Sequence, residues 1–315
     1  MVIPTSGRPE LRAAIESALA QTTPPLEIVV VFDAALGAEA VRPVLEHRSV
    51  RYVLSDDRER SAIATRRAGV RCSRGSLVAY LDDDDVWLPN KLECQLRRYA
   101  AERERVRFPV IAAVTINVDP QRALQGISRP LRHSPVRDRL GDSLFTRRSL
   151  TRPAPMIGSS SLLFERSLLE VVEPDPDIEL HDDWLWLLRV EQHPDAHVSV
   201  VDRPLLRYRV NPPGRSVGTA GSGTTSYAVA RRMDLSPRAL GDFGLTVSAA
   251  MDVAQGDRRA GWRVARTVCR TARPGWPAKI WLGLMLVVPR RAVGPARRLV
   301  VTARGWLTPG SSVSG

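Results

Sequence analysis

A short apolar run from Ser76 to Leu81 leads without a break into four consecutive aspartates, Asp82 to Asp85. Such a run, aliphatic and without polar alternation, is what a strand buried on both faces of a parallel sheet looks like. Open α/β sheets bind ligands at the carboxyl ends of their strands, so position gives these acids their meaning. Adjacent carboxylates repel one another unless a cation offsets them, and hard divalent ions such as Mg²⁺ or Mn²⁺ take oxygen ligands and bridge to phosphates. The plainer reading is a solvated acidic turn ahead of the next helix.

The segments before the aspartates repeat one theme. Residues 2 to 4 read as the stub of a strand, and Pro9 opens a helix whose Leu11, Ile15, Ala18 and Leu19 recur at helical spacing. Ile28 to Phe32 is a buried run after the Pro24-Pro25 break, Val50 to Leu54 another, and Ser61 to Cys72 a helix ending toward Gly75. Strands alternating with helices make an α/β sheet with crossover connections. Beyond the aspartates the pattern predicts a helix from Leu88 to about Glu104 and a strand around Val110 to Asn117. Gln121 to Arg152 reads as loop with one short helix, and mobility is expected there. Ser159 to Phe164 reads as a strand, Arg166 to Val172 as a short helix, Pro174 to Asp177 as a turn, and a helix begins near His181. Two short strands follow, Val198 to Val201 and Leu205 to Val210. A break rich in Pro, Gly and Ser at Pro212 to Gly223 precedes a mostly helical stretch to about Arg304, so the expected domains are residues 1–216 and 217–315.

Composition excludes several classes. With 43% hydrophobic and 25% charged residues the chain can build a full core, which rules out wholesale disorder, collagen and a small disulfide scaffold. Arg8, Glu10, Arg12 and Glu16 interrupt the apolar stretch that a signal peptide needs, so export by that route is not expected. Cys72, Cys94 and Cys269 lack the spacing of a zinc cluster and are expected as small buried apolar groups in a reducing compartment. No P-loop, zinc pair motif or nucleophile elbow occurs, and no apolar span reaches the length that crosses a bilayer. Of the 46 Lys and Arg residues, 12 lie from Arg258 onward, where there is no Asp or Glu; the 34 before it balance the 34 acids. A neutral body with a cationic appendage points to an anionic partner such as a membrane surface, and not to nucleic acid.

Tyr80-Leu81, the four aspartates, Trp87, Pro89 and Lys91-Leu92-Glu93 resemble the metal-binding signature of family 2 glycosyltransferases, which have the GT-A fold. Val2-Ile3-Pro4-Thr5 with Arg8-Pro9 and Ala14 to Gln21 is similar to that family's opening strand and helix, Glu27 to Asp33 to its second strand, and Ala64 to Gly69 to its Ala-x-Arg-Asn-x-Gly helix. The likeness runs from residue 2 to about Ser216. It implies a Rossmann-like mixed sheet flanked by helices, here with a helical C-terminal extension. It further implies metal-dependent glycosyl transfer, with inversion, from a nucleotide-diphospho-sugar donor to a saccharide, lipid-linked or other hydroxyl acceptor. The alternative is a catalytically inactive, membrane-associated scaffold that keeps the fold.

Carried over by position, Thr5 and Asp33 hold the nucleotide base, Arg66 lies near the ribose or diphosphate, and Asp82 and Asp83 belong to the nucleotide-sugar site. Asp84 is the principal ligand of the Mg²⁺ or Mn²⁺ ion, with Asp85 beside it. Read from the residues alone, Thr5 ends a strand, Asp33 opens a turn and Arg66 is one more exposed helix arginine. His181-Asp182-Asp183-Trp184-Leu185-Trp186 resembles the family's acidic pair, in which the second acid is the catalytic base; Asp183 takes that role here, with Asp182 as runner-up, unless both merely cap the helix. Ser159 and Ser160 fall in the acceptor-side strand, Trp184 and Trp186 line the acceptor sugar or pack the helix, and Arg209 and Arg215 of the following loop contact the diphosphate or simply lie on the surface. His181 is expected in solvent, with a reach to the metal or acceptor as the alternative. Phe32 stands where the family has the first of two Asp, Arg67 where Asn is commoner and Asn211 where many relatives have His. The first strand is short, which a start a few residues upstream of Met1 would explain.

Trp262, Trp276, Trp281 and Trp306 fall among the 12 cations of the tail, and Trp276 to Pro289 is strongly apolar between arginines. Such a segment suits the interface of an anionic membrane, here residues 258–306 on a cytoplasmic protein held peripherally at the inner face of the cell membrane. Packing on the catalytic domain is the alternative.

Overall fold

The computed structural model describes residues 1–55, 62–119, 124–128, 139–150, 156–210 and 221–287. They divide between two units that interleave along the chain: Met1–Leu144, Ala154–Ala220 and Arg232–Asp234 in one, Phe145–Pro153, Gly221–Arg231 and Leu235–Gly315 in the other.

The first unit opens with β1 (Val2–Thr5), α1 (Leu11–Leu19), β2 (Ile28–Phe32), β3 (Val50–Leu54) and α2 (Ala62–Cys72). Every residue of β2 is buried, as befits the middle of three parallel strands. Helix α1 turns Leu11, Ala14, Ile15 and Ala18, one stripe at i, i+3, i+4 and i+7, into the core. β4 (Leu77–Ala79), β5 (Val86–Trp87), α3 (Lys91–Arg103), β6 (Phe108–Asp119), β7 (Leu124–Ser128) and α4 (Leu140–Phe145) follow. β8 (Leu163–Glu165), α5 (Leu168–Val171), α6 (Asp182–Gln192) and β9 (Ala196–Arg209) complete it. The later strands run in the order β4-β8-β6-β9-β5, with β7 on β6. A parallel bridge from Val2 to Tyr80, with the Leu81 N–H bonded to the Val2 carbonyl at 3.1 Å, sets β4 beside β1. The carboxyl ends of β1, β2 and β4 therefore share one edge, which carries Thr5, Asp33 and the aspartate run.

Four local expectations need correction. Val198 to Val201 and Leu205 to Val210 are one strand, β9, whose pairing with β6 shifts register between Ala113 and Thr115, opposite Pro204. A bulge tolerates a residue without an N–H, so the proline bends the strand and does not end it. Ser159–Ser161 is a 3₁₀ turn and not strand, because the Ser161 N–H and hydroxyl both return to the Gly158 carbonyl. β5 and β7 were not foreseen: two residues carry no period, and Leu124–Ser128 has a weak one. Cys72 and Cys269 are exposed and Cys94 half-buried, since the first two fall on outward helical positions. Of the expected loop from Gln121 to Arg152, α4 is the short helix and several residues lie outside the described ones.

In the second unit α7 (Gly223–Ala230), α8 (Pro237–Phe243), a π-helical turn at Gly244–Ala249, α9 (Ala250–Gln255), α10 (Arg258–Thr271) and α11 (Trp276–Val287) pack together. Ser222, Ser236 and Asp257 cap α7, α8 and α10 through their side chains. α10 buries Gly261, Val264, Ala265 and Val268 and turns its arginines outward.

One contact governs where α2 lies. A Cβ on Gly69 would stand 2.3 Å from Val2 Cγ1 and 2.9 Å from Val31 Cγ2, so the helix approaches β1 and β2 this closely only because residue 69 has no side chain. Both valines are fully buried and have no room to move. Gly69→Ala is expected to cost about 1–3 kcal/mol by overpacking, read as a lower urea midpoint with unchanged slope. An unchanged midpoint would show that α2 has slack against the sheet.

Candidate active site

The four aspartates at the edge are not equivalent. Asp83 turns inward, accepting the Thr5 hydroxyl at 2.6 Å and the Ser6 N–H at 3.3 Å. Thr5 in turn accepts the Gly7 N–H at 2.9 Å, so its hydroxyl is used on both sides. Asp84 forms an ion pair with Arg8 at 2.5 Å, and Arg8 also lies 3.6 Å from Asp83. Asp85 is almost wholly enclosed: its Oδ1 accepts the Arg209 N–H at 3.0 Å, while its Oδ2 has no hydrogen-bond partner among the described residues. Burial, then the Asp82 charge, pushes Asp84 up to about 6, with Arg8 pulling the other way. Asp83 is raised by burial against the pull of Thr5 and Arg8, and Asp85 well above the carboxylate range by burial and its acidic neighbours.

Asp82 belongs to a second group, organised by one guanidinium. Arg66 of α2 reaches Asp82 at 2.7 Å, the Ser159 hydroxyl at 2.8 Å and Asp182 at 3.3 Å. Its side chain is mostly buried and lies 5.7 Å from the centre of the Tyr80 ring. Ser159 donates to the other oxygen of Asp82 at 3.1 Å, and the Ser160 hydroxyl accepts the Asp82 N–H at 2.9 Å. Burial works against the Arg66 charge, yet the Asp82 and Asp182 carboxylates outweigh it and raise its pKa. The plainer alternative of an exposed helix arginine does not hold: Arg66 joins the acid edge of β4 to the start of α6.

Helix α6 begins with Asp182 and Asp183 after His181, the one described non-glycine residue with positive φ, at 61°. His181 is buried, not in solvent as expected, and stacks on Trp184 with ring centres 5.0 Å apart. Asp183 accepts the Trp184 N–H at 2.9 Å and, with Asp182, faces a cleft lined by Arg66, Tyr80, Leu162 and Trp186. Burial, then the Asp182 charge, raises Asp183 to about 7; burial also raises Asp182, against the pull of Arg66. Trp186 is packing, its Nε1 on the Val172 carbonyl at 2.7 Å and its ring 4.9 Å from Phe164, whereas Trp184 is half-buried and donates to the Ile157 carbonyl at 2.9 Å.

The remaining sequence candidates divide. Asp33 is half-buried at the end of β2 and caps the short turn that follows, its Oδ1 accepting the Ala35 N–H. The Arg209 guanidinium pairs with Glu10. Arg215 and Asn211 lie outside the described residues. Arg8, a partner of the acids, carries no sequence signal of that role, for no periodicity marks a contact across 76 positions.

Among the described residues no three acidic, histidine or cysteine side chains converge into a cage for a metal ion. Mg²⁺ and Mn²⁺ need no such cage when a diphosphate is present, because one or two carboxylates serve beside phosphate oxygens and water. The buried, unpartnered Asp85 Oδ2 and the raised Asp84 beside it are an all-oxygen donor set that fits a hard cation.

The fold and edge define an α/β protein with an acidic site at the carboxyl ends of its strands, and comparison narrows the class. Residues 1–172 match the Glycosyl transferase family 2 model, and the chain belongs to that family. The succinoglycan biosynthesis protein ExoO of Rhizobium meliloti (strain 1021) is 33% identical over 105 residues, 33% of this chain and 30% of that protein. WfgD of Escherichia coli, a UDP-Glc:alpha-D-GlcNAc-diphosphoundecaprenol beta-1,3-glucosyltransferase, is 32% identical over 87 residues, 27% of this chain and 34% of that protein. Each match spans about a third of the relative's length. The crystal structure of S. aureus TarS 1-349 in complex with UDP-GlcNAc matches with a TM-score of 0.54 at 15% identity, over 97% of this chain and 90% of that one. The fold is the GT-A fold.

Arg66→Met removes the one cation that Asp82 and Asp182 share. The variant is expected to lose about 3 kcal/mol at neutral pH, as when one partner of a buried ion pair is deleted. The loss should shrink as pH falls and the uncompensated acids take up protons, since their folded pKa values then exceed the unfolded ones. Denaturant melts at pH 7.5 and 4.5 check this, and an equal loss at both would mean that packing alone was removed.

Proposed function

We propose that the chain transfers a glycosyl group from a nucleotide-diphospho-sugar to a hydroxyl acceptor with inversion, the catalytic site lying in the unit built from Met1–Leu144 and Ala154–Ala220. One observation carries this: Arg66 ties the acid edge at Asp82 to the Asp182-Asp183 pair, so groups suited to a diphosphate and a group suited to a proton flank one place. Asp84 and Asp85 would hold the Mg²⁺ or Mn²⁺ ion, which when bound offsets charge on the departing diphosphate. Asp183 removes the proton of the acceptor hydroxyl as its oxygen bonds to the anomeric carbon. The bond from that carbon to the diphosphate breaks, and its electron pair leaves with the nucleotide. A base held near pH 7 by burial is matched to this task. Asp33 at the end of β2 meets the base, Asp82 and Asp83 the donor, and Ser159, Ser160 and Trp184 the acceptor side. The UDP-GlcNAc named with TarS and the UDP-Glc donor named for WfgD support a nucleotide-sugar, and WfgD's diphosphoundecaprenol acceptor supports a lipid-linked one.

Asp183→Asn is expected to keep nucleotide binding while transfer falls by at least about 10²–10⁴-fold, the usual worth of a general base. In the wild type kcat/KM should fall as pH drops below about 7, where the base becomes protonated, and that acid limb should vanish from the residual rate of the variant. Full turnover by Asp183→Asn would overturn the assignment. A second reading, the inactive scaffold, is favoured by the arginines already engaging Asp82 and Asp84. Titration calorimetry with nucleoside diphosphates, with and without Mn²⁺, separates the two, for a scaffold shows no metal-dependent binding.

We also propose that residues 258–306 meet the anionic inner face of the cell membrane, bringing the enzyme to a lipid-linked acceptor. On α11 the exposed Trp276, Ile280, Leu284 and Val287 recur at helical spacing on one face, opposite buried Ala278 and Leu282. The exposed arginines of α10 supply charge of the sign that anionic lipid attracts. No described helix is long and apolar enough to cross a membrane. The intact chain should float with vesicles containing phosphatidylglycerol and less with phosphatidylcholine alone, and Trp276→Glu with Leu284→Glu should abolish flotation. Equal flotation of that variant would dismiss the surface.

A further inference from the structure

The loop of hydroxyls that holds Asp82 is itself held from beneath. Lys91, the first residue of α3, is completely buried, and burial pushes its pKa well below the usual lysine value. Its Nζ lies 2.6 Å from Gln95 Oε1 and 3.9 Å from the centre of the Trp87 ring. With Oε1 turned to Lys91, the Gln95 amide points its Nε2 at two carbonyls, Ser161 at 2.7 Å and Ile111 at 2.8 Å. The Trp87 Nε1 donates to the next carbonyl, that of Ser160, at 3.0 Å. Two neighbouring carbonyls of the 3₁₀ turn at Ser159–Ser161 are therefore fixed from α3 and β5, while the hydroxyls of Ser159 and Ser160 hold Asp82 and Arg66 on the other side.

We propose that Lys91, Gln95 and Trp87 are positioning residues that set the Ser159–Ser161 turn, and through it the Asp82 carboxylate and the Arg66 guanidinium, for the nucleotide-sugar. The proposal rests on the glycosyl-transfer reading above, since it assigns the cluster to that site. A buried amine is costly, and a core lacking all three polar groups would pack more simply. What the cluster supplies instead is direction, because two donors aimed at carbonyls of the turn, with Lys91 holding the Gln95 amide, fix a geometry that apolar contacts would leave free to rotate. The turn carries the hydroxyl ligands of Asp82, so a small shift there reaches the donor site, where misplacement by about 1 Å can cost roughly 10²-fold.

The test measures dissociation constants by calorimetry, in the presence of Mn²⁺, for whichever of UDP, GDP, ADP and dTDP the wild-type chain binds most tightly. Gln95→Leu, Lys91→Met and Ser160→Ala are compared singly, and each of the first two is combined with Ser160→Ala. Gln95→Leu is expected to weaken binding at least about tenfold and Lys91→Met less, with unchanged stoichiometry in the folded fraction. Each double variant should bind no more weakly than its weaker-binding single parent, because both changes act through one turn. A purely structural role would lower the folded fraction and leave the affinity of what remains unchanged. Should Gln95→Leu not fold, Lys91→Met carries the test alone, since a methionine of similar length spares the burial of an amine. Wild-type-like affinity in the folding variants, or strictly additive losses in the doubles, would overturn the positioning role while leaving the function intact. Failure of the wild type to bind any of the four would overturn the function, and this proposal with it.

Discussion

Repulsion between buried carboxylates is the constraint around which this chain is arranged. The sheet ends β4 at an edge where Asp82 to Asp85 follow one another, and α6 starts with two more acids. Left to themselves these groups would either take up protons or open the edge to water. Arg66 prevents part of this by standing between Asp82 and Asp182, and Arg8 does so from the other side through Asp84. The placement of Arg66 depends in turn on α2 lying close to β1 and β2, which the bare backbone of Gly69 allows. A glycine chosen for close approach and an arginine chosen for charge are thus one device, three positions apart on a helix.

The alternation of short apolar runs with helical stretches exposed the parallel half of the fold, because strands buried on both faces leave a strong and continuous signal. The acid run drew attention for the same reason, its place at a strand end being readable along the chain. What stayed hidden is what depends on partners far away in sequence. Helical spacing alone does not separate Arg66 from Arg67, and only the likeness to the family's motif singles out Arg66; one reaches Asp82 and Asp182 and the other Glu173 on the surface. The serines at 159 to 161 read as strand because hydroxyl groups returning to their own backbone leave no periodic trace. β5 was invisible for want of length, and β9 was divided in two because Pro204 looks like an end when only the partner strand reveals a bulge.

The lysine of the motif after the aspartates illustrates a different failure of pattern. A charged residue four positions past a tryptophan suggests a surface, but Lys91 is buried and its helix begins around it. Its polar partner, Gln95, is one helical turn on, and the two carbonyls they govern are contributed by β6 and by the serine turn. Spacing within α3 hints at the pair, whereas the purpose of the pair lies in elements roughly 20 and 70 positions away, beyond what helical periodicity reports.

The arginine pairs at the edge do not exhaust its charge. Six carboxylates, Asp82 to Asp85 with Asp182 and Asp183, face the guanidinium groups of Arg8 and Arg66, while that of Arg209 is taken by Glu10. The imbalance is visible in the acids themselves, for Asp83, Asp84, Asp85, Asp182 and Asp183 are all raised, with burial the first cause each time. In a low-dielectric edge, surplus negative charge favours either protons or an added cation. A structural ion-pair network evolved for stability alone would bring its charges to balance, since each unpaired buried acid costs free energy. An edge left acidic, with Asp85 enclosed and raised well above the carboxylate range, is held at a cost in stability that its ion pairs do not remove.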